Sequence, residues 1–164
     1  AGGGIRADWG IEVQEAIVCG GDLRAAWDLI CHGKLSLTGN AFVGQDLIVD
    51  GVVECGKGLN AGGAIVGADS IRTGQGMLAG GAISGGMHLE AGWGITSGES
   101  IQAKGSIKAG ESVSAGDEIS AGAGYGVFAG LNVQVESWES SAQVMAQQKP
   151  EGLMSGCWAG PRLL

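Results

Sequence analysis

An aliphatic residue returns at every sixth position along most of this chain. In residues 98–126, GESIQAKGSIKAGESVSAGDEISAGAGYG, it falls on Ile101, Ile107, Val113 and Ile119, then on Tyr125. Taken backwards, the same frame meets Ile5, Ile11, Ile17, Leu23, Leu29, Leu35, Ala41, Leu47, Val53, Leu59, Ile65, Ile71, Met77, Ile83, Leu89 and Ile95; forwards it reaches Leu131. The frame thus runs for 22 consecutive repeats with no insertion. With the aliphatic residue at position a, position c is always small or apolar, and no charged residue occupies either. Position d is Gly in 12 of the 22 repeats.

In–out–in alternation over three residues is the pattern of a short strand, and glycine at the following corner is expected to supply backbone angles that other residues resist. A six-residue apolar period matches no helix. It is instead the signature of a β-helix. Three strands per triangular coil give 18 residues per coil, and the outward columns support that count. Glu54, Arg72, Glu90 and Lys108 alternate in sign at this spacing, Trp9 stacks on Trp27, and Gly56, Gly74, Gly92 and Gly110 share a corner. Opposite charges directly across neighbouring strands are mutually favourable. The predicted fold is all-β: a single-stranded triangular β-helix (β-solenoid) over residues 1–135, with about seven coils and a length of roughly 34 Å. Each large inward side chain contributes on the order of 1–3 kcal/mol, and stability accrues between neighbouring coils.

The frame ends after Val133. Residues 136–164 have a different composition, with Trp138 and Trp158, and are expected to form a C-terminal cap over the last coil. KPEG (149–152) suits a type I turn, with AQVMAQ and GLMSGCWA as paired strands beside it. SSAQVMAQQ is alternatively a short helix capped by Ser140 or Ser141. A cap would protect a strand edge that otherwise recruits another chain. The first coil has no such lid, so either the chain is trimmed there or that edge is an assembly surface.

Composition narrows the class further. Thirty-four glycines and two prolines suggest collagen or disorder, but there is no G-X-Y period, and 45% hydrophobic residues are too many for disorder. The net charge of −8 disfavours nucleic acid and anionic membrane as partners. No apolar run approaches the roughly 18 residues of a membrane span, and no signal peptide is visible. One domain is expected from the length.

Candidate chemistry is mostly absorbed by the repeat. GxGxxA occurs at Gly56–Ala61, Gly74–Ala79 and Gly124–Ala129, but no strand-to-helix unit follows, so a dinucleotide loop is not expected. His32 and His88 sit in different columns and cannot share a metal or a dyad within one chain. Cys19, Cys31 and Cys55 occupy inward c positions, where a thiol behaves as a small hydrophobe. Cys19 and Cys55 are separated by Leu37 and lie beyond disulfide reach. Unpaired buried thiols suit a reducing cytoplasm. Glu99 and Asp117 share a column as solvated surface, and no Thr ladder of an ice-binding face is present. Hence no catalytic, cofactor-binding or metal-binding residue is expected. The second face instead carries an outward column Glu12, Ile30, Ile48, Val66, Ser84, flanked by Phe42 and Val52. A contiguous apolar patch marks an interface. Ile30, Ile48, Val66 and Phe42, with Trp9 and Trp27 as aromatic anchors, are the expected protein-contact residues.

The repeat resembles two groups of β-helix. One is the left-handed hexapeptide acyltransferases, although these place the large aliphatic residue directly before the glycine position, whereas here Ile107 precedes Ala109 and Gly110. The other is the bactofilins, bacterial polymer-forming proteins that are cytoplasmic right-handed β-helices joined end to end; the likeness covers residues 5–133. SIKAGESVSAGDEISAG followed by YGVFAG is also similar to repeats of other bacterial β-helix proteins. Handedness stays open between the two resemblances. The expected function is a non-catalytic scaffold or interaction module that binds protein, either itself as a homo-oligomer or a partner. An immunity protein neutralising a bacterial toxin and a hexapeptide-type acyltransferase are the alternatives.

Overall fold

The computed structural model describes residues 2–161, which wind into a parallel β-solenoid with three sheets as its faces. Strands Ile5–Ala7, Ile11–Val13 and Ile17–Cys19 make the first coil, one on each face, and Leu23–Ala25 returns to the first face. Each residue pairs in register with the one 18 positions later, as in Leu29↔Leu47 and Leu35↔Val53. Eighteen residues per coil and three faces therefore hold. The sheets contain nine, seven and eight strands on the first, second and third faces.

The interior consists of stacked columns. On the first face Leu23, Ala41, Leu59, Met77, Ile95 and Val113 follow one another, all essentially inaccessible to solvent. Polar residues at c remain satisfied. Ser97 Oγ donates to Gly81 O at 2.6 Å while accepting the Glu99 N–H at 3.1 Å. Cys19 and Cys31 donate to the corresponding carbonyls, of Gly3 at 3.0 Å and Glu15 at 3.2 Å. Among the described residues no buried side-chain nitrogen or oxygen lacks a partner.

The corners explain the glycines differently from expectation. None of the corner glycines in the regular coils has a positive φ. A Cβ on Gly62 would instead strike the carbonyl oxygen of Gly44, and one on Gly80 that of Gly62. Close approach of successive coils, not backbone angle, excludes side chains there. At the next corner position but one, Asp and Asn build a second ladder. Asp22 Oδ1 accepts the Asn40 N–H at 2.7 Å, Asn40 Oδ1 that of Gly58 at 3.0 Å, and Asp46 Oδ1 that of Ala64 at 2.8 Å.

Three expectations need correction. The frame does not run unbroken to Leu131. After Ile119–Ser120 a turn at Ala123 and Gly124, with Gly124 at φ 81°, adds two residues, so Ile107 pairs with Val127. Val127 and Ala129 are buried, whereas Tyr125 and Leu131 are half-exposed. The stack is also longer, with roughly nine coils spanning about 43 Å at the strand spacing. The reason lies in the tail. Gln143–Met145 and Cys157–Gly160 extend the first face, and Leu153–Ser155 extends the third, all in parallel. AQVMAQ and GLMSGCWA thus pair as strands within the stack. The short helix is Trp138–Ser141, preceded by Ser137, rather than a helix begun by Ser140 or Ser141. Gly152, the fourth residue of KPEG, has φ 70°, an angle that favours glycine. Trp158 lies in register with inward Val144 and packs against the core. Residues 162–164 lie outside the described residues.

Candidate functional site

The three faces expose different chemistry because each outward column is set by one residue in 18. The third face reads Val18, Ser36, Glu54, Arg72, Glu90, Lys108 and is tied by ion pairs: Lys34–Glu54 at 2.8 Å and Arg72–Glu90 at 3.0 Å. The hydrogen bond from Lys34 holds the Glu54 carboxyl below its usual range.

The second face carries the expected apolar column. Ile30, Ile48 and Val66 are adjacent in register, with Glu12 before them and Ser84 after. Ile30 is half-buried, while Ile48 and Val66 are 37% and 38% exposed. Trp9 and Trp27 stand on the corner between the first and second faces, stacked with ring centroids 5.9 Å apart and an interplanar angle of 26°. They are 72% and 53% exposed, which is far from how an aromatic ring is normally housed. Phe42 lies across that corner, on the first face, where Arg24 and Asn60 are its register neighbours. The apolar column and Phe42 are thus not one patch; the corner at residues 44–46 separates Phe42 from Ile48.

Sequence reasoning passed over the first face. Its outward column begins Arg6, Arg24, Phe42, Asn60 and continues through Leu78, Thr96 and Ser114, with no carboxylate. The Arg24 guanidinium sits 4.8 Å from the centroid of the Phe42 ring. A groove of about 510 Å³ runs along this column over the small residues at its edge. The 18-residue frame already carried that signal, since it aligns Arg6, Arg24 and Phe42.

Both histidines are engaged. His32 Nδ1 lies 2.7 Å from Asp50 Oδ2 and its Nε2 3.4 Å from Glu12 Oε1, on the exposed surface. The hydrogen bonds to Asp50 and then Glu12 raise the His32 pKa above its ordinary value. With both nitrogens facing carboxylates, neither is free to act as a general base. His88 belongs to a corner ladder: its N–H faces Ser70 Oγ at 3.3 Å and its Nδ1 accepts the Ser106 N–H at 3.0 Å. That bond requires the tautomer protonated at Nε2. The Tyr125 ring meets the imidazole edge-on at 5.5 Å.

All four cysteines are free, and burial pushes the Cys55 thiol up to about 12, far from a reactive thiolate. Among the described residues no group of three His, Cys, Asp or Glu side chains is placed to hold a metal ion. No helix among them is long and apolar enough to cross a membrane. No protein-family model, no curated protein and no solved structure matches this chain.

Proposed function

We propose that this chain is a non-catalytic protein-interaction module that presents chemically distinct flat faces on a rigid stack. The observation that carries this reading is the outward Ile30–Ile48–Val66 column, lying beside the exposed Trp9–Trp27 stack. Aromatic and branched apolar side chains on a preformed surface bind with little loss of conformational freedom, because in-register strands already hold them. The pairing of both His32 ring nitrogens and of His88 Nδ1 also favours display over chemistry. Self-association and binding of a different protein are the two forms this function can take. Assembly of coils end to end, as in bactofilins, is one version of the first, supported by the parallel stacking of all three sheets.

The test is solution mass by light scattering over a wide concentration range, with negative-stain microscopy, for the wild type and Ile48→Glu/Val66→Glu. A discrete oligomer that the double substitution dissociates supports self-association through the second face. A monomer that captures a folded partner, and loses it on the same substitution, supports heterologous binding. Filaments unaffected by the substitution point to end-to-end assembly. An unaltered monomer that binds nothing in either form would overturn the reading.

A further inference from the structure

We infer that the groove on the first face is a docking site for an acidic segment of a partner protein, with Arg24 as its central contact. This rests on the interaction-module reading and narrows it to one site and one partner chemistry.

The chain carries a net charge of −8, yet Arg24 has no carboxylate within ion-pair distance among the described residues. Its register neighbour is Arg6, which only the exposed Asp8 answers, at 3.7 Å. Two like charges directly across neighbouring strands repel one another. On the third face the strand cation Arg72 is paired with Glu90 one coil on. On the first face no strand contributes an outward carboxylate, and the corner residues Asp8, beside Arg6, and Asp22, whose charge acts on Arg24, offset the two cations only from the side, so an anion placed between the guanidinium groups relieves the remaining repulsion.

Geometry adds the second part. Phe42 is half-buried and lies under the Arg24 guanidinium at 4.8 Å. Stacking holds that planar group by its face and leaves its N–H edge for a carboxylate, the arrangement in which arginine binds bidentately. Asn60, next in the column, adds an amide, and Ala25, Ala26 and Ala61 line the groove with apolar surface. A carboxylate-bearing segment with an adjacent apolar side chain matches each of these features.

A polyphosphate matches fewer of them. Two cations one coil apart answer one or two anionic groups, whereas nucleic-acid binding relies on about 6–10 phosphate contacts. Asp8 lines the groove as well and repels a longer anionic chain.

Panning a phage-displayed library of random dodecapeptides against the full chain tests this, followed by affinity measurement with labelled selected peptides. Selected sequences are expected to be enriched in Asp or Glu beside an aliphatic or aromatic residue. Their binding should weaken at least tenfold with Arg24→Gln, stay unchanged with Arg72→Gln, and fall as salt rises from about 50 to 200 mM. Sequences without acidic enrichment, or binding lost with Ile48→Glu but kept with Arg24→Gln, would overturn the groove and leave the interaction module standing. Failure to enrich any peptide counts against both. Heparin or an oligonucleotide binding the Arg24 site more tightly than the peptides would reassign the groove to polyanions. Self-association abolished by Arg24→Gln would reassign it to a second copy of the chain.

Discussion

Val127, not Tyr125, lies in register with Ile107 on the third face, a separation of 20 residues where the preceding pair, Leu89↔Ile107, is separated by 18. Val127 is fully buried, whereas Tyr125 keeps about half of its surface in water, its ring against His88. Val127→Ala should therefore destabilise the protein by about 2 kcal/mol through lost burial and the cavity left behind. Tyr125→Ala removes one edge contact and should cost about 1 kcal/mol or less. Urea denaturation of the two variants checks the order, and a reversal would restore the unbroken frame.

Gly80 and Gly76 are both corner glycines, but the coils approach them differently. A Cβ at Gly80 would occupy the position of the Gly62 carbonyl oxygen, while one at Gly76 would meet only Gly94 O at 3.6 Å, an ordinary contact. Gly80→Ala should cost about 1–3 kcal/mol of overpacking strain. Gly76→Ala should be neutral or stabilise slightly, by restricting the unfolded chain. Thermal melts of the pair would separate steric need from backbone angle as the reason for glycine.

Ser97 relays a hydrogen bond inside the stack, from the Glu99 N–H to the Gly81 carbonyl. Ser97→Ala leaves both groups without this partner and should destabilise by about 1–3 kcal/mol. Ser97→Cys should recover part of the loss, because Cys19 and Cys31 already donate to the carbonyl in the equivalent place. Denaturation midpoints for the three proteins test this, and equal stability of the Ala and Cys variants would contradict the relay.

His32 makes stability depend on pH in a defined direction. Its folded pKa is raised, chiefly by the Asp50 hydrogen bond. The contribution is therefore fully present below the unfolded value of about 6.5 and fades as pH rises through the higher folded value. The melting-temperature difference between wild type and His32→Gln should be larger at pH 6 than at pH 9. Direct NMR titration of the imidazole should give a midpoint above 6.5, and one at or below that value would remove the basis for the effect.

The solenoid itself was readable because one short rule repeats. Inward a and c positions cannot hold charge without a buried penalty, so Ile65, Ile71 and their equivalents declare themselves individually. The 18-residue columns of Trp9 with Trp27, and of Arg72 with Glu90, were legible for the same reason, and the structure places both pairs together. Phe42 was harder to place. Counting to 18 aligns it with Arg24, but proximity in sequence to the second face suggested a patch that the corner at residues 44–46 interrupts.

The sequence by itself determined the strand period, the coil length, the buried columns and the absence of long loops within the regular repeats, because nearest-neighbour stacking translates local pattern directly into structure. Tertiary packing decided what local pattern could not express. The two-residue shift to Val127 follows from the turn at Gly124, the tail joins two sheets through pairings far apart in the chain, and glycine is required where the preceding coil's carbonyl approaches. It also decided that Arg24 lies over Phe42 while Arg72 meets a carboxylate, since side-chain partners depend on the coil above and below and not on the repeat they share.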